Sequence, residues 1–314
     1  MLEDWLVESG DPAENNLRWE RHPGNPVLRP SAANGWSEEW IANGTVLRIK
    51  DRYLMFMEGK SGPVYRIGLK IAEAATFDGV TWQDNPENPI LDIAPKGYDA
   101  MGVLDPSVIR FRGRYYLYHT ALCGPPDHVA LAISDDGYHF TKYDKNPLFA
   151  GRCPFAIVLR NMVYVFHLRF NEDGGYDLHL AISSNGLEFT RHEMRPILPR
   201  GIEGEWDSFS IVTPRIFLEG DVYKMIYAAD SQHVDEPRGF GLAFSSDLVS
   251  WLKFEGNPIF TPGLPGEWDS QAVWCPWVER QADQYWMWYC GSATTYDEGL
   301  TPMVGMAKLG GGLR

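Results

Sequence analysis

The sequence predicts an all-β fold, a five-bladed β-propeller whose blades are four-stranded antiparallel sheets. The composition and two repeated patterns lead to this prediction. The chain has 13% aromatic residues, 31 Gly and 22 Pro, a mixture that favours short strands joined by turns. No stretch keeps a 3.6-residue apolar period, so we expect few helices. We expect residues 1–314 to form a single propeller domain.

The first repeat is a short motif of a polar residue, a proline and two apolar residues. It occurs five times: Asn25-Pro26-Val27-Leu28, Asn88-Pro89-Ile90-Leu91, Asn146-Pro147-Leu148-Phe149, Arg195-Pro196-Ile197-Leu198 and Asn257-Pro258-Ile259-Phe260. A hairpin signal precedes the last four copies: Asp78-Gly79, Asp136-Gly137, Asn185-Gly186 and the weaker Asp247-Leu248. Asp-Gly and Asn-Gly suit the positive φ of two-residue hairpin turns. Each unit is therefore predicted to end in a hairpin and an outer strand.

The second repeat opens each unit with an apolar strand, a turn and an aromatic-rich strand. Its copies cover residues 44–57, 106–119, 154–167, 214–227 and 276–289. With the small-residue strand and the proline motif, each unit has four strands. Four-stranded units that recur about every 50–60 residues are typical of propeller blades. A long β-sandwich is the alternative, but it does not require five matched repeats.

The two ends of the chain predict how the ring closes. The last unit has only three strands and ends near residues 303–309, whereas the first proline motif has no unit before it. The segment Leu17-Arg18-Trp19-Glu20 precedes that motif. We therefore expect the N-terminal strand to complete the last blade, which would leave no half-built sheet edge.

Charge and composition exclude several classes of function. The formal net charge of −14 repels phosphate backbones, so no nucleic-acid partner is expected. No apolar run reaches the roughly 20 residues that span a bilayer, so no membrane partner is expected. The acidic N-terminus lacks a signal-peptide pattern. The four cysteines have no CxxC spacing, which predicts neither a zinc site nor a disulfide framework, and we expect a cytoplasmic protein.

One carboxylate is singled out by its position before an innermost strand. The five positions directly before these strands are Asn43, Asp105, Cys153, Thr213 and Cys275. Asp105 is the only carboxylate among them. If structure alone constrained these positions, the five copies would carry similar residues. A polar residue that occurs in only one copy therefore indicates a function. The alternative is that Asp105 caps its own loop by accepting backbone N–H bonds.

A second set of aspartates recurs from blade to blade. Asp99, Asp207 and Asp269 each lie six residues before the axial position, and the last two stand in identical Gly-Glu-Trp-Asp-Ser strings. Recurrence at equivalent positions predicts a loop-bracing role for these side chains. Trp206 and Trp268 in the same strings are expected to pack between blades.

The ends of the second strands supply further polar side chains. Because the first two strands of a blade are antiparallel, these ends reach the face where the innermost strands begin. Glu58, His119, His167, Arg169 and Asp230 are expected there. They lack the tight spacing of metal ligands, and the chain has no GxSxG elbow, P-loop, HExxH or Rossmann glycine motif.

These motifs resemble those of a superfamily of five-bladed propeller carbohydrate enzymes, the glycoside hydrolase families 43, 32, 117 and 130. The resemblance runs from Asn25 to about Leu309. It is carried by the repeated Trp-Asp strings, the Asp-Gly hairpins, and the strings Asp105-Pro106-Ser107-Val108-Ile109 and Tyr115-Tyr116-Leu117-Tyr118. Which family the chain resembles most is not resolved by these motifs.

The families differ in the carboxylates that the resemblance implies. Families 43 and 32 place carboxylates before the inner strands of the first three blades. Here those positions hold Asn43, Asp105 and the string Arg152-Cys153-Pro154, which resembles the Glu-Cys-Pro of family 32 with Arg in place of Glu. Family 130 relies on one principal Asp in an Asp-Pro motif, which Asp105-Pro106 matches. Ser107 stands where that family usually has Arg.

The resulting hypothesis is a glycosidase that cleaves a small sugar or oligosaccharide in the axial pocket. Glycoside cleavage needs an acid and a base or nucleophile. The predicted catalytic carboxyl groups are Asp105, Glu58 and Asp230. The predicted substrate-binding residues are Asn43, His119, His167, Arg169, Glu38 and Thr213.

Two alternatives remain open. A phosphorolytic enzyme similar to family 130 would use Arg169 and a histidine to bind phosphate. A non-catalytic, carbohydrate-binding propeller would explain the missing carboxylates. Some relatives carry an axial cation such as calcium, but no residue pattern here requires one, so no cofactor or metal is predicted. The expected partner is a small carbohydrate, and the sequence does not indicate an oligomeric state.

Overall fold

A computed structural model describes residues 17–192, 195–233 and 235–310, and all regular structure in these ranges is β-strand. The acidic N-terminus used to predict location lies outside the described residues. In chain order the strands are β1 Glu20–Arg21, β2 Trp40–Ile49, β3 Arg52–Ser61, β4 Val64–Glu73, β5 Gln83–Asp84, β6 Gly102–Phe111, β7 Arg114–Leu122, β8 His128–Ser134, β9 Thr141–Lys142, β10 Phe149–Ala150, β11 Arg152–Leu159, β12 Met162–Phe170, β13 Tyr176–Ser183, β14 Thr190–His192, β15 Ser210–Glu219, β16 Val222–Asp230, β17 Gly239–Ser245, β18 Leu252–Lys253, β19 Ala272–Gln281, β20 Gln284–Ser292 and β21 Met303–Gly310.

These strands form the blades of a five-bladed propeller. Blades one to four are the antiparallel series β2–β5, β6–β9, β11–β14 and β15–β18. A single parallel bridge between Tyr65 and Gly102 joins the first two blades. The innermost strands β2, β6, β11, β15 and β19 contact one another in that order, and β19 contacts β2. The predicted all-β propeller is confirmed.

The fifth blade closes the ring with strands from both ends of the chain. Strands β19, β20 and β21 pair in sequence, and β1 pairs with β21 through Glu20 and Lys308. The N-terminal strand therefore completes the last blade, as the sequence predicts. This pairing covers the edge of β21 that would otherwise lie open.

The proline motif lies along the outer edge of the third strand in every blade. Its fourth residue pairs with that strand each time: Leu28 with Val304, Leu91 with Ile67, Phe149 with Val129, Leu198 with Leu178, and Phe260 with Phe240. In four blades the Asn of the motif also bonds the backbone of the third strand. Asn146, for example, accepts from the N–H of Leu131 at 2.9 Å and donates to its carbonyl at 2.8 Å. The repeated asparagine thus satisfies polar groups at a strand edge.

The aromatic residues of the second strands contact the hairpin turns of neighbouring blades. Gly79 of blade one adopts φ 89°, and its carbonyl accepts the indole N–H of Trp288 in blade five at 2.7 Å. Gly186 of blade three accepts the hydroxyl of Tyr118 in blade two at 2.8 Å. A Cβ at Gly79 would lie 2.8 Å from Trp286, so glycine is required by both backbone and space. Each hairpin docks on the aromatic strand of the neighbouring blade and fills the core between blades.

The described residues form no helix long and apolar enough to cross a bilayer.

Candidate functional site

The five axial residues share one unusual backbone conformation. Asn43, Asp105, Cys153, Thr213 and Cys275 have φ between 44° and 51°. In each blade the pairing of the first two strands shifts at this point, which marks a β-bulge. A bulge inserts a residue and redirects its side chain. All five residues line the narrow channel along the propeller axis, so the axial ring predicted from sequence is present.

Two carboxyl groups meet at the start of this channel. The Nδ2 group of Asn43 donates to Oε2 of Glu58 at 2.8 Å and to Oδ1 of Asp105 at 2.6 Å. The two acceptor oxygens therefore lie within two hydrogen-bond lengths of each other. The backbone N–H of Asp105 also donates to Glu58 Oε2, at 3.1 Å. Glu58 and Asp105 are 1% and 6% exposed, so this pair is withdrawn from bulk water.

Asp105 is held by neutral donors from three blades. Besides Asn43 of blade one, the Thr120 hydroxyl donates to Oδ2 at 2.6 Å and the Cys153 thiol donates to the same oxygen at 3.2 Å. Burial and the Asp105 charge raise the pKa of the Cys153 thiol, which keeps it protonated as a donor. These bonds differ from the loop cap considered from the sequence, because all three partners are side chains on strands.

The orientation of the Asn43 amide is fixed by two hydrogen-bond donors from blade five. Its Oδ1 accepts the indole N–H of Trp274 at 2.9 Å and the thiol of Cys275 at 2.8 Å. Two donors at the oxygen require the nitrogen to face the carboxyl pair. Blade five therefore sets the direction in which blade one presents its donor.

The environment favours a proton on Glu58. Burial, with the adjacent Asp105 charge as the second cause, raises the pKa of Glu58 to about 8, against an opposing effect of its hydrogen-bond donors. Two carboxylates in a shared dry site cannot both ionise without large cost. Burial and the neighbouring Asp105 charge therefore favour the protonated form of Glu58 at neutral pH.

A pocket of about 270 Å³ opens from this pair toward one face of the propeller. Its aromatic walls are Trp40, Tyr65, Tyr176, Trp274 and Tyr296. Its polar lining comprises Asn43, Glu58, Asp105, Arg152, Thr213 and Asp235. Apolar walls with a few convergent polar groups are typical of small-molecule sites, and aromatic faces pack well on the C–H faces of sugars. We call this cavity the axial pocket.

Four of the predicted site residues line the axial pocket, namely Asp105, Glu58, Asn43 and Thr213. The predicted histidines do not. His119 and His167 are 0% exposed and neither ring nitrogen has a hydrogen-bond partner among the described residues. Burial lowers the pKa of each to about 3, so both rings are neutral. The expectation that they reach the pocket is corrected here.

Strand alternation explains the correction. In blade one, Glu58 pairs with Ala42, the residue before the axial Asn43. In blade two, the residue before the axial Asp105 is Leu104, and it pairs with Thr120. Thr120 is therefore the counterpart of Glu58. His119 lies one residue earlier, so its side chain projects from the opposite face of the sheet. His167 and Arg169 lie on either side of Leu168, which is the equivalent residue of blade three. By the same alternation, their side chains project from the face of the sheet opposite to that of Leu168. His167 instead packs between the rings of Phe149 and His179.

Asp230 and Glu38 also lie outside the axial pocket. Asp230 accepts the backbone N–H groups of Gln232 and His233 at 2.6 and 2.5 Å, so it caps the turn after β16. Its expected catalytic position is corrected, because a side chain that satisfies its own turn is not free to face the axis. Glu38 lines a separate cavity on blade one.

The sequence reasoning missed several residues that converge on the pocket. Thr120 could have been found by applying strand alternation from Glu58. Arg152 directly precedes an axial position, and it donates to the Tyr176 hydroxyl at 2.6 Å and lies 3.6 Å from Asp127. Trp40 donates to Glu58 Oε1 at 2.9 Å. Asp235 arrives from a loop with no repeated counterpart, so no pattern in the sequence marks it.

The repeated aspartates do brace their loops. Asp207 accepts from the Tyr227 hydroxyl at 3.1 Å and from Lys253 at 2.6 Å. Asp269 makes the matching contacts with Tyr289 and Arg21, both at 2.9 Å, and Asp99 bonds Lys142. Each aspartate ties the loop that enters its blade to a basic residue on the outermost strand.

Metal-ligand geometry is not found in the part of the chain that the structure describes: no three His, Cys, Asp or Glu side chains there are grouped to hold an ion. Asp105 and Glu58 instead take their contacts from amide, hydroxyl, thiol, indole and backbone donors.

Solved structures share this architecture at low sequence identity. A glycosyl hydrolase from Bacteroides ovatus superposes with a TM-score of 0.74 at 16% identity, covering 95% of both chains. The β-1,2-mannobiose phosphorylase from Listeria innocua, in complex with β-1,2-mannobiose, gives 0.72 at 17% identity over 93% of this chain and 97% of that one. A structure from work on family 130 mannoside phosphorylases and hydrolases of β-1,2 mannosidic linkages in Candida mannan also gives 0.72 at 17%, covering 95% of both. The chain therefore shares the propeller fold of these structures.

Sequence comparison identifies nearer relatives. No family model matches the chain. The uncharacterized protein Rv1502 of Mycobacterium tuberculosis strain H37Rv is 32% identical over 284 residues, which cover 86% of this chain and 75% of that protein. The uncharacterized protein MT1551 of strain CDC 1551 matches with the same identity and coverage. Identity at this level over most of both lengths shows that the chain belongs to the family of Rv1502 and MT1551.

Proposed function

We propose that the protein is a carbohydrate-active enzyme that cleaves a glycosidic bond in the axial pocket, with Asp105 and Glu58 as its catalytic carboxyl pair. The observation that carries the proposal is the shared donor Asn43, which holds one oxygen of each carboxyl group at 2.6 and 2.8 Å on the floor of an aromatic pocket. Glycoside cleavage requires such a pair of acid and base or nucleophile.

The surroundings assign different roles to the two groups. The raised pKa of Glu58, about 8 through burial and the neighbouring Asp105 charge, makes it the proton donor to the leaving oxygen at neutral pH. Asp105 accepts from the amide of Asn43, the hydroxyl of Thr120 and the thiol of Cys153. With Glu58 as the proton donor, Asp105 is the remaining carboxyl group of the pair, and it attacks the anomeric carbon or activates water.

The spacing of the pair bears on stereochemistry. Inverting glycosidases separate their carboxyl groups by about 6.5–9.5 Å to admit a water, and retaining enzymes by about 5–5.5 Å. Oxygens of Asp105 and Glu58 that share one amide nitrogen are closer to the shorter spacing. This favours retention, with Asp105 as the nucleophile.

The charges of the pocket favour water over phosphate as the acceptor. Arg152 is the one cationic side chain on the described pocket wall, which also carries Glu58, Asp105 and Asp235. Asp127 lies 3.6 Å from the same guanidinium and partly neutralises it. Arg169, which the phosphorolytic hypothesis required, does not line the pocket. Arg152 would have to serve as the phosphate ligand if the enzyme were a phosphorylase.

The experiment is a turnover assay on a panel of aryl glycosides and β-1,2-linked mannobiose, with and without inorganic phosphate. Wild type is expected to cleave at least one substrate without phosphate. Asp105→Asn is expected to lose about 10³-fold of that activity, because the group that attacks or activates is gone. Strict dependence on phosphate would establish the phosphorylase instead. Binding of sugar without any cleavage would support the non-catalytic alternative.

A further inference from the structure

A second cavity lies beside the axial pocket, above blades one and five. We call it the outer pocket; its volume is about 550 Å³. It shares four wall residues with the axial pocket, namely Trp40, Tyr65, Tyr296 and Leu300. The two cavities are therefore adjacent, with these four residues facing both.

The shared walls are mainly aromatic and are held in place. Trp40 and Tyr65 meet edge to face, with ring centroids 5.8 Å apart and planes at 84°. Tyr296 is 59% exposed, yet its backbone N–H donates to Glu236 at 2.6 Å, which anchors the loop between β20 and β21. Exposed aromatic faces at fixed positions are suitable platforms for the apolar faces of sugar rings.

The far end of the outer pocket is polar. Glu38, Glu39 and Lys60 line it. Lys60 pairs with Glu39 at 3.1 Å, and the same carboxylate accepts the backbone N–H of Gly62 at 2.9 Å. The Glu39 charge is thus compensated, and the Glu38 carboxylate is available to sugar hydroxyls. Such a lining suits an uncharged, hydroxyl-rich ligand better than an anion.

Trp40 links the two cavities physically. Its indole ring lines both, while its N–H donates to Oε1 of Glu58 at 2.9 Å. A ring that packs against Trp40 in the outer pocket therefore restricts the side chain that orients the proton donor. Trp40 is thus a direct contact between the outer pocket and Glu58.

We propose that the outer pocket is a second sugar subsite, which binds the units of a neutral oligosaccharide that extend beyond the unit held at the carboxyl pair. The inference rests on the proposed function, since it takes the axial pocket as the place of cleavage. Because the two cavities share four wall residues, the occupant of the outer pocket is taken to be part of the same ligand. The protein then prefers oligosaccharides of three or more units to disaccharides.

The test is a binding titration that needs no turnover. Asp105→Asn protein is titrated with β-1,2-manno-, cello-, xylo- and arabino-oligosaccharides of two and four units, following tryptophan fluorescence. For the series that binds, we expect the four-unit sugar to bind about tenfold more tightly than the two-unit sugar. Adding Tyr296→Ala should remove this difference, whereas Tyr296→Phe, which keeps the ring, should retain most of it.

A matched control is Leu264→Ala, since Leu264 is an exposed apolar residue of blade five that lines neither pocket. It should leave the binding of both lengths unchanged. Equal affinity for two and four units, or a length preference that survives Tyr296→Ala, would overturn the outer subsite while leaving the proposed function intact. Failure of every sugar to bind, in Asp105→Asn and in wild type, would overturn both.

Discussion

The propeller uses buried carboxylates in two contrasting ways, in its entry loops and at its axis. In the loops, Asp207 and Asp269 each accept a tyrosine hydroxyl and bond a basic side chain of the outermost strand. At the axis, Asp105 and Glu58 face each other across the amide of Asn43 with no directly bonded cation among the described residues. The first arrangement is repeated from blade to blade, and the second occurs once.

This difference distinguishes carboxylates with a structural role from the pair to which we assign a chemical role. A buried carboxylate with a bonded cation retains its charge at modest cost, so a loop can use it as a brace. A buried pair of like charges is unfavourable for folding and lowers its cost by holding a proton. Nothing in the blade architecture requires such a pair, since the equivalents of Asp105 and Glu58 in blade four are Thr213 and Ala228. The blade architecture therefore does not account for the axial pair, and we attribute the pair to the reaction proposed above.

After Asp105→Asn, the largest loss of turnover is expected for Glu58→Gln. The amide keeps the acceptor for Trp40 but cannot donate a transferable proton, so turnover should fall about 10²- to 10³-fold. Wild-type kcat/KM should decline as the pH rises through about 8, where Glu58 loses its proton, and the variant should lack this decline. If Glu58→Gln kept the decline of kcat/KM at high pH, which is the basic limb of the profile, the titrating proton would belong to another group.

The same substitution changes how stability depends on pH. The folded-state pKa of Glu58 is raised from 4.5 to about 8, so the folded protein binds the proton more tightly than the unfolded chain. Stability contributed by this group is complete at low pH and declines as the pH rises from about 4.5 to 8. Urea unfolding at pH 5 and pH 8 should show a smaller difference for Glu58→Gln than for wild type.

For the loop-bracing aspartates we expect a smaller effect, which lowers stability and leaves turnover nearly unchanged. Asp207→Asn leaves Lys253 and the Tyr227 hydroxyl without their charged acceptor, which should lower the free energy of unfolding by about 1.5–3 kcal/mol. Turnover per folded molecule should stay within about twofold of wild type, since this loop does not line the axial pocket. Chemical unfolding and active-site-normalised rates measure the two quantities. A loss of turnover comparable to that of Asp105→Asn would erase the distinction between the two carboxylate sets.

Among the variants of the axial site, the smallest effect on turnover is expected for Asn43→Gly. Glycine accepts the φ of 51° at this position, so the change removes the amide while leaving the backbone conformation. The hydrogen bond from Asn43 lowers the pKa of Glu58, and its loss should move the basic limb of kcat/KM to higher pH and cost about tenfold in rate. A limb that moves to lower pH would mean that the amide does not contact Glu58 as described.

The repeats predicted the fold because each blade repeats the same physical requirements. Five proline motifs, four hairpins and an incomplete last unit were enough to indicate the number of blades and the closing strand. The axial ring followed from the same alignment, which brought Asp105 to the centre. Asp105 and Glu58 could be predicted for the site because each is the single carboxylate at its repeated position.

The side-chain directions could not be predicted as well. The β-bulge at each axial residue adds one residue to the inner strand, and the sequence pattern does not show it. Without the bulge, His119 and Thr120 are equally plausible neighbours of Asp105, and the structure selects Thr120. Residues such as Arg152, Asp235 and Tyr296 come together through loops that differ between blades, so no repeat aligns them.

The central claim is that Glu58, beside Asp105 at the axis, holds a proton at neutral pH. It is tested most directly by titrating the side-chain carboxyl carbons of ¹³C-labelled glutamate in the folded protein by NMR. We predict one glutamate resonance that titrates near pH 8 in wild type and is missing from Glu58→Gln. If every glutamate in wild type titrated below about pH 5, close to the ordinary range, the account would be contradicted.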